Sequence, residues 1–400
     1  MITPPAPGSP FLLGVNYWPR RSAMGWWRRF DAGELAEDCA RIATLGMRVL
    51  RWFLDWELLQ PDPAQLDEAT LANADRVLDL CAQHGLLAMP TLFTGHMSGV
   101  NWLPAWTLDA AQPPGRFRTI ARGVEQACGI GDLYADPALL RAQTFCAARL
   151  AERWRGHPAL WAIDLGNEFS NLREPARPSD AADWSARLCD ALAPAGVATT
   201  GGLHGEDVER DRGIRPSSIS ASWSLATMHG YAVYSPWSAG RLDTDAVPFL
   251  GAVMRAFQGG RPLLFSEWGG PQCPHTRAPG GDEAEPFECY SEEELAAYAM
   301  GALERLHREG AVGALYWCWS DYDPALATQP PFDRAPWEMR FGLCDERGRL
   351  KQVGERLQSF ARDNPTVQRP APFAQDEAAW YADPPRRLRE AYARYRAMEE

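Results

Sequence analysis

Lysine is almost missing from this chain of 400 residues: Lys351 is the only one, and every other basic side chain is arginine. A Walker-type phosphate loop needs a lysine after its glycines, and Schiff-base or pyridoxal chemistry needs one in the site. Lys351 stands in RGRLKQVGE, which reads as a late surface helix, so neither chemistry has a carrier. There is no GxSxG for an α/β-hydrolase esterase, no HxH or HExxH for a metal-dependent hydrolase, and no GxGxxG for a doubly wound dinucleotide fold. No apolar run reaches the roughly 18 residues of a membrane span. The opening MITPPAPGSP has neither the basic nor the apolar stretch of a leader. The nine cysteines lack CxxC spacing, and their odd number without a leader predicts free thiols in a reducing cytoplasm. A net charge of −12 offers no basic surface for a nucleic-acid partner.

What is present is an alternation. Short apolar runs are followed by stretches with apolar residues at helical spacing. FLLGVNYW (11–18), MRVLRWFL (47–54), LLAMPTLF (86–93) and LWAIDLGNE (160–168) are the first four runs. VATTGGLH (197–204), SISASWSLATMHGY (218–231), PLLFSEWGG (262–270) and VGALYWCWSDY (312–322) complete eight. Asp136 before Pro137 marks a helix start, and Gly85 suits a helix end. Eight strand–helix units predict an α/β fold, a (β/α)8 TIM barrel over residues 1–365. Residues 366–400 are Pro-rich and then charged, and read as a short helical C-terminal extension on the barrel.

A barrel of this kind carries its chemistry at the C-terminal ends of its strands. There the sequence places Asn16, Arg51, His96, Asn167 with Glu168, His204 with Glu206, His229 with Tyr231, Glu267, and Trp317 with Trp319. His204 and Glu206 either line a site or cap a loop. An Asn-Glu pair alone usually caps a helix. Here, however, two glutamates end apolar strands four and seven, which lie across a barrel from each other. Glycosidic cleavage needs one carboxylic acid for the leaving oxygen and a second carboxylate on the sugar's other side; a separation of roughly 5–5.5 Å makes the second a nucleophile. Glu267 must be ionised, which Arg51 nearby favours; Glu168 must hold a proton, which burial and a negative neighbour favour. The seventeen tryptophans suit flat, partly apolar ligands such as sugar rings. Cys273, His275, Glu288 and Cys289 share one loop without the regular spacing of zinc ligands, and read as ordinary loop residues. No metal or cofactor is expected.

These motifs resemble those of clan A glycoside hydrolases of the family 5-like type, the cellulase, mannanase and β-mannosidase group, over roughly residues 11–362. GMRVLRW is similar to the strand-2 motif and implies that Arg51 contacts the nucleophile. DLGNE resembles the strand-4 motif, implying Glu168 as acid/base and Asn167 on the sugar 2-hydroxyl. MHGY implies His229 and Tyr231 near both carboxylates. LLFSEWGG implies Glu267 as nucleophile, with Trp268 beside it as a binding residue. ALYWCW implies Trp317 as the aromatic floor, and Asn16 and His96 complete the expected binding set. TLFTGHMSG departs from the family pattern around His96.

The resemblance implies a retaining β-glycoside hydrolase acting on β-linked oligosaccharides. Without a leader the expected substrates are short imported glycosides, hence exo action, β-mannosidase-like, in a pocket walled by loops 95–135 and 321–341. Alternatives within the class are a β-glucosidase, a β-galactosidase or an endo-β-glycanase. Outside it stand a non-catalytic carbohydrate-binding barrel and a transglycosidase.

Overall fold

The computed structural model describes residues 5–280, 286–370 and 372–398. Eight parallel strands form the barrel: β1 (Leu12–Tyr17), β2 (Val49–Phe53), β3 (Leu87–Phe93), β4 (Ala162–Asn167), β5 (Ala198–Gly202), β6 (Ala226–His229), β7 (Leu263–Trp268) and β8 (Gly313–Tyr316). Hydrogen bonding runs β5-β4-β3-β2-β1-β8-β7-β6. The ring closes between β5 and β6 through side chains and single backbone contacts: Thr200 Oγ1 meets Thr227 Oγ1 at 3.0 Å, and His229 N donates to Leu203 O at 2.8 Å. The strands are nearly continuous in apolar residues because a parallel barrel buries both their faces. Leu13, Val15, Leu50, Ile163 and Phe265, for example, are all buried.

Helices α1 (Ala32–Thr44), α2 (Glu68–Gln83), α3 (Pro137–Trp154), α4 (Pro178–Leu192), α5 (Ala246–Phe257), α6 (Glu292–Arg308) and α7 (Gln352–Arg362) form the outer layer. Their starts follow from local chemistry. Asp136 caps α3 by accepting from Ala138 N and Leu139 N, with Pro137 in the first turn, where its missing N–H costs nothing. Ser291 and Glu294 cap α6 reciprocally. Glycine at 85, after α2, has φ +68°, as its C-cap role requires.

The C-terminal segment adds α8 (Glu377–Ala382) and α9 (Pro384–Ala397) against the side of the barrel. Trp380 Nε1 donates to Val208 O at 2.9 Å, and the Tyr392 hydroxyl donates to Asp243. The extension thus holds the segments after β5 and β6 from outside.

Two expectations need correction. Lys351 is not on a surface helix: it is 5% exposed, and Nζ lies 2.7 Å from Asp321 Oδ1 and 3.3 Å from Arg340 O. It is the residue before α7, so its side chain turns inward and fastens the long loop after β8. The thiols are not all free either, because Cys273 and Cys289 form a disulfide. A short antiparallel pair, Arg277–Ala278 with Phe287–Glu288, folds the loop back and brings the two sulfurs together. Sixteen residues of separation conceal that pairing in the sequence.

Candidate active site

The C-terminal strand ends surround a cavity of about 400 Å³. Its floor is organised by Arg51, which is fully buried on β2. The guanidinium spends all three nitrogens. Nε and Nη2 reach Asp164 Oδ2 at 2.9 and 2.6 Å, Nη2 reaches Asn167 Oδ1 at 2.9 Å, and Nη1 reaches Asn16 Oδ1 at 2.9 Å as well as Glu267 Oε1. Parallel pairing explains why these groups meet. The register sets Asn16 beside Arg51 and Asp164 beside Thr91, whose hydroxyl donates to Asp164 at 2.8 Å. A buried guanidinium so enclosed is compensated by two carboxylates and fixed in angle.

Glu267 ends β7 with a side chain 4% exposed. Besides Arg51 it accepts from the Tyr231 hydroxyl at 2.8 Å. Glu168 sits just past β4 and is less enclosed, at 17%. Its backbone has φ +45° and ψ +46°, a left-handed conformation that costs a side-chain-bearing residue roughly 1–2 kcal/mol. The kink turns the carboxyl from the strand direction into the cavity. It depends on Gly202 of β5, where a Cβ would lie 2.6 Å from Gly166 O and 3.1 Å from Glu168 N.

Three histidines ring Glu168. His229 Nδ1 is 3.2 Å from Glu168 Oε1 and 3.6 Å from Glu267 Oε1, and its Nε2 has no partner among the described residues. His96 Nε2 is 3.9 Å from Glu168 Oε2, while its Nδ1 meets Asn101 Oδ1 at 2.8 Å. His204, behind them, contacts Ser170 at 3.1 Å. Asn171 Nδ2 also donates to Glu168 Oε2 at 3.0 Å. Burial pushes the Glu168 carboxyl up, but His204, His229 and His96 pull it further down, to a net value well below the ordinary carboxylate range. The expectation of a protonated Glu168 is therefore corrected: the imidazoles outweigh burial. Burial pushes His96 down to about 4, so it is neutral at pH 7.

Oxygen atoms of Glu168 and Glu267 and a His229 nitrogen all lie within 4.8 Å of one another. Two carboxylates and an imidazole could hold a cation by distance alone. The Arg51 guanidinium bonded to Glu267 already supplies the positive charge and opposes a second one. The carboxyl spacing matches the nucleophile arrangement better than the wider gap, about 6.5–9.5 Å, that accommodates an attacking water.

Of the residues singled out in the sequence, Glu168, Glu267, Asn167, His229, Tyr231, Trp317, His96, His204 and Glu206 line the cavity. Arg51 and Asn16 lie beneath it and position others. Asn16 Nδ2 donates to Ser266 O at 2.9 Å, which ties β1 to β7. Trp268 does not reach the cavity. It follows Glu267 by one residue, so strand alternation turns it to the opposite face, where it is fully buried with its ring 5.3 Å from Tyr316. Asp164 is absent from the residues the sequence suggests, though a lone carboxylate inside an apolar strand is a signal. Ser98, Phe117, Tyr234 and Glu338 also line the cavity and come from loops with no periodic signature.

No family model matches the chain, and no curated protein matches it. Solved structures do. An exo-beta-1,4-mannosidase from Opitutaceae bacterium strain TAV5 superposes with a TM-score of 0.72 at 27% identity, covering 89% of this chain and 60% of that one. A variant of the GH5_18 protein from Streptomyces cattleya, solved with Manb1-4GlcNAc, gives 0.75 at 19% identity, covering 96% of this chain and 90% of that one. A variant of the GH5_18 protein from Bifidobacterium longum, solved with the same disaccharide, gives 0.73 at 20%, covering 90% and 80%. The chain shares the (β/α)8 barrel fold of these structures. That shared barrel accounts for the strand order and for the cavity's position; the present chain spans only 60% of the length of the Opitutaceae mannosidase.

Proposed function

We propose that the protein is a retaining β-glycoside hydrolase, exo-acting and β-mannosidase-like, with Glu267 as nucleophile and Glu168 as acid/base. The observation that carries this reading is the pair of strand-end carboxylates within 4.8 Å, one held by a buried guanidinium and the other ringed by imidazoles. In the first step Glu267 Oε attacks the anomeric carbon while the bond to the leaving oxygen breaks and that oxygen takes a proton from Glu168. In the second step Glu168 removes a proton from water, the water oxygen attacks the anomeric carbon, and the ester to Glu267 breaks. Arg51 and Tyr231 keep the attacking carboxylate aligned. The proton that Glu168 takes from water in the second step is the one it gives to the leaving oxygen in the next turnover, and His229 Nδ1, 3.2 Å away, holds the carboxyl in place. Trp317 supplies the flat surface under the reacting ring, and Asn167 a polar contact beside it.

Exo action is supported by the cavity's outline. Loops 95–135 and 321–341, the walls expected from the sequence, meet across its mouth. Ser98 Oγ donates to Glu338 Oε2 at 2.9 Å, and Arg118 pairs with Asp333. The mannosidase preference is supported by the likeness to the Opitutaceae exo-beta-1,4-mannosidase, 27% identical to this chain. The Cys273–Cys289 disulfide favours an oxidising compartment over the cytoplasm. Among the described residues no helix is long and apolar enough to cross a membrane.

Hydrolysis of nitrophenyl β-mannoside, glucoside, galactoside and xyloside tests the proposal, with Glu267→Ala as control. Fast release from one sugar, lost in the variant, is expected. Sugar binding without any release would favour a non-catalytic binding barrel.

A further inference from the structure

A further carboxyl faces the cavity beside the nucleophile's wall. Glu338 lies in the loop after β8 and is 8% exposed. Its Oε1 accepts from the Tyr234 hydroxyl at 2.6 Å and its Oε2 from Ser98 Oγ at 2.9 Å. Each oxygen so bonded keeps a further acceptor site. Trp337 Nε1 donates to Tyr234 Oη at 2.8 Å, and the Trp337 ring stacks on Phe287 with centroids 4.3 Å apart. Tyr234 lies 5.8 Å, ring to ring, from Tyr231, the residue that donates to Glu267. One carboxyl thus joins the loops after β3, β6 and β8 into a wall beside the nucleophile.

That carboxyl has no cationic partner among the described residues; the charges that act on it most are Glu168 and Glu267. Packing alone would be served better by an amide or an apolar side chain, since a buried carboxyl without a cation is costly. A group kept at such cost in a cavity wall has unused acceptor sites for a ligand rich in hydroxyl donors.

We propose that Glu338 is the glycone-recognising carboxyl of this cavity: it accepts hydrogen bonds from adjacent hydroxyls of a terminal sugar and, with Ser98 and Tyr234, ends the cavity so that no further sugar fits beyond it. The inference rests on the glycosidase reading and names the residue that makes the action exo.

The test couples residue to hydroxyl. The full chain and Glu338→Gln are assayed on the preferred nitrophenyl glycoside and on a series lacking one ring hydroxyl each. Loss of one of the bonded hydroxyls should lower wild-type kcat/KM roughly tenfold or more and leave Glu338→Gln almost indifferent. The variant itself should show a raised KM with kcat little changed. A second variant, Glu338→Ala, should release an intact disaccharide from the matching nitrophenyl disaccharide, which the wild type cannot. If wild type and Glu338→Gln discriminate equally across the series, the inference is overturned even where Glu338→Ala fails to fold. A wild type silent on every glycoside would overturn the glycosidase reading, and this inference with it.

Discussion

Glu267 and Glu168 end strands on opposite sides of one cavity, yet their surroundings are built from different chemistry. Glu267 is held by a guanidinium that never loses its charge and by a phenol, and is almost sealed from solvent. Glu168 is more open and faces three imidazoles and an amide instead. A group that must be a carboxylate throughout is given a fixed partner. One that must give up and recover a proton in each turnover is left without a permanently charged partner. The contrast extends to the backbone: Glu267 keeps extended strand backbone, though the pairing register shifts around it, whereas Glu168 is itself left-handed and swung out of its strand.

The comparison can be broken most directly by removing each carboxyl. Glu267→Ala should lower kcat at least ~10⁴-fold on every substrate, because the covalent step is lost. Glu168→Ala should do comparable damage only where the leaving group is poor. With dinitrophenolate, which needs no protonation to depart, formation of the glycosyl-enzyme should survive and accumulate as a burst. Equal losses on both kinds of leaving group would remove the acid/base assignment.

The fixed side can then be loosened. Asp164→Asn leaves Arg51 with one carboxylate fewer in a buried place. Breaking such a pair typically costs about 3–5 kcal/mol, so a large drop in denaturation midpoint is expected together with reduced kcat. Unchanged stability would mean that the network beneath the cavity is not what holds Glu267.

Glu338 sharpens the contrast through pH. Burial pushes its carboxyl from near 4.5 to about 7; the hydroxyls of Tyr234 and Ser98 oppose this, and the charges of Glu168 and Glu267 assist it. The folded state therefore holds a proton that the unfolded chain has released. Stability from this group falls as pH rises from about 4.5 to about 7 and is flat above. The full span is roughly 3 kcal/mol at 1.36 kcal/mol per unit. Thermal melts of wild type and Glu338→Gln should draw apart across that window, the variant gaining; parallel curves would contradict the burial argument.

The smallest effect separates two tryptophans. Trp317→Phe should raise KM severalfold, whereas Trp268→Phe should change stability by ~1 kcal/mol or so and leave KM alone. A KM effect at Trp268 would place it back in the binding set.

Much of this is legible in the sequence. Strands buried on both faces read as unbroken apolar runs, and polar residues at their ends read as a site, so Glu168, Glu267, Arg51 and Asn167 can be named before any geometry. Trp268 misleads because resemblance of a motif ignores which face a residue presents; its position next to Glu267 already implies the opposite one. The protonation of Glu168 misleads for a different reason. His96 and His204 come from loops after β3 and β5, and their convergence depends on the ring closing. Glu338, Ser98 and Tyr234 stand on three such loops and carry no local pattern at all.

The inward turn of Lys351 has a practical side. Its amine is the only one the side chains provide, and it is committed to Asp321 within the fold. Amine-directed reagents, whether crosslinkers, activated-ester dyes or aldehyde-coated supports, therefore find no ε-amino group on the native surface. A lysine introduced anywhere on the exterior would become the one exposed ε-amine, and reaction at position 351 itself would report that the loop after β8 had come undone.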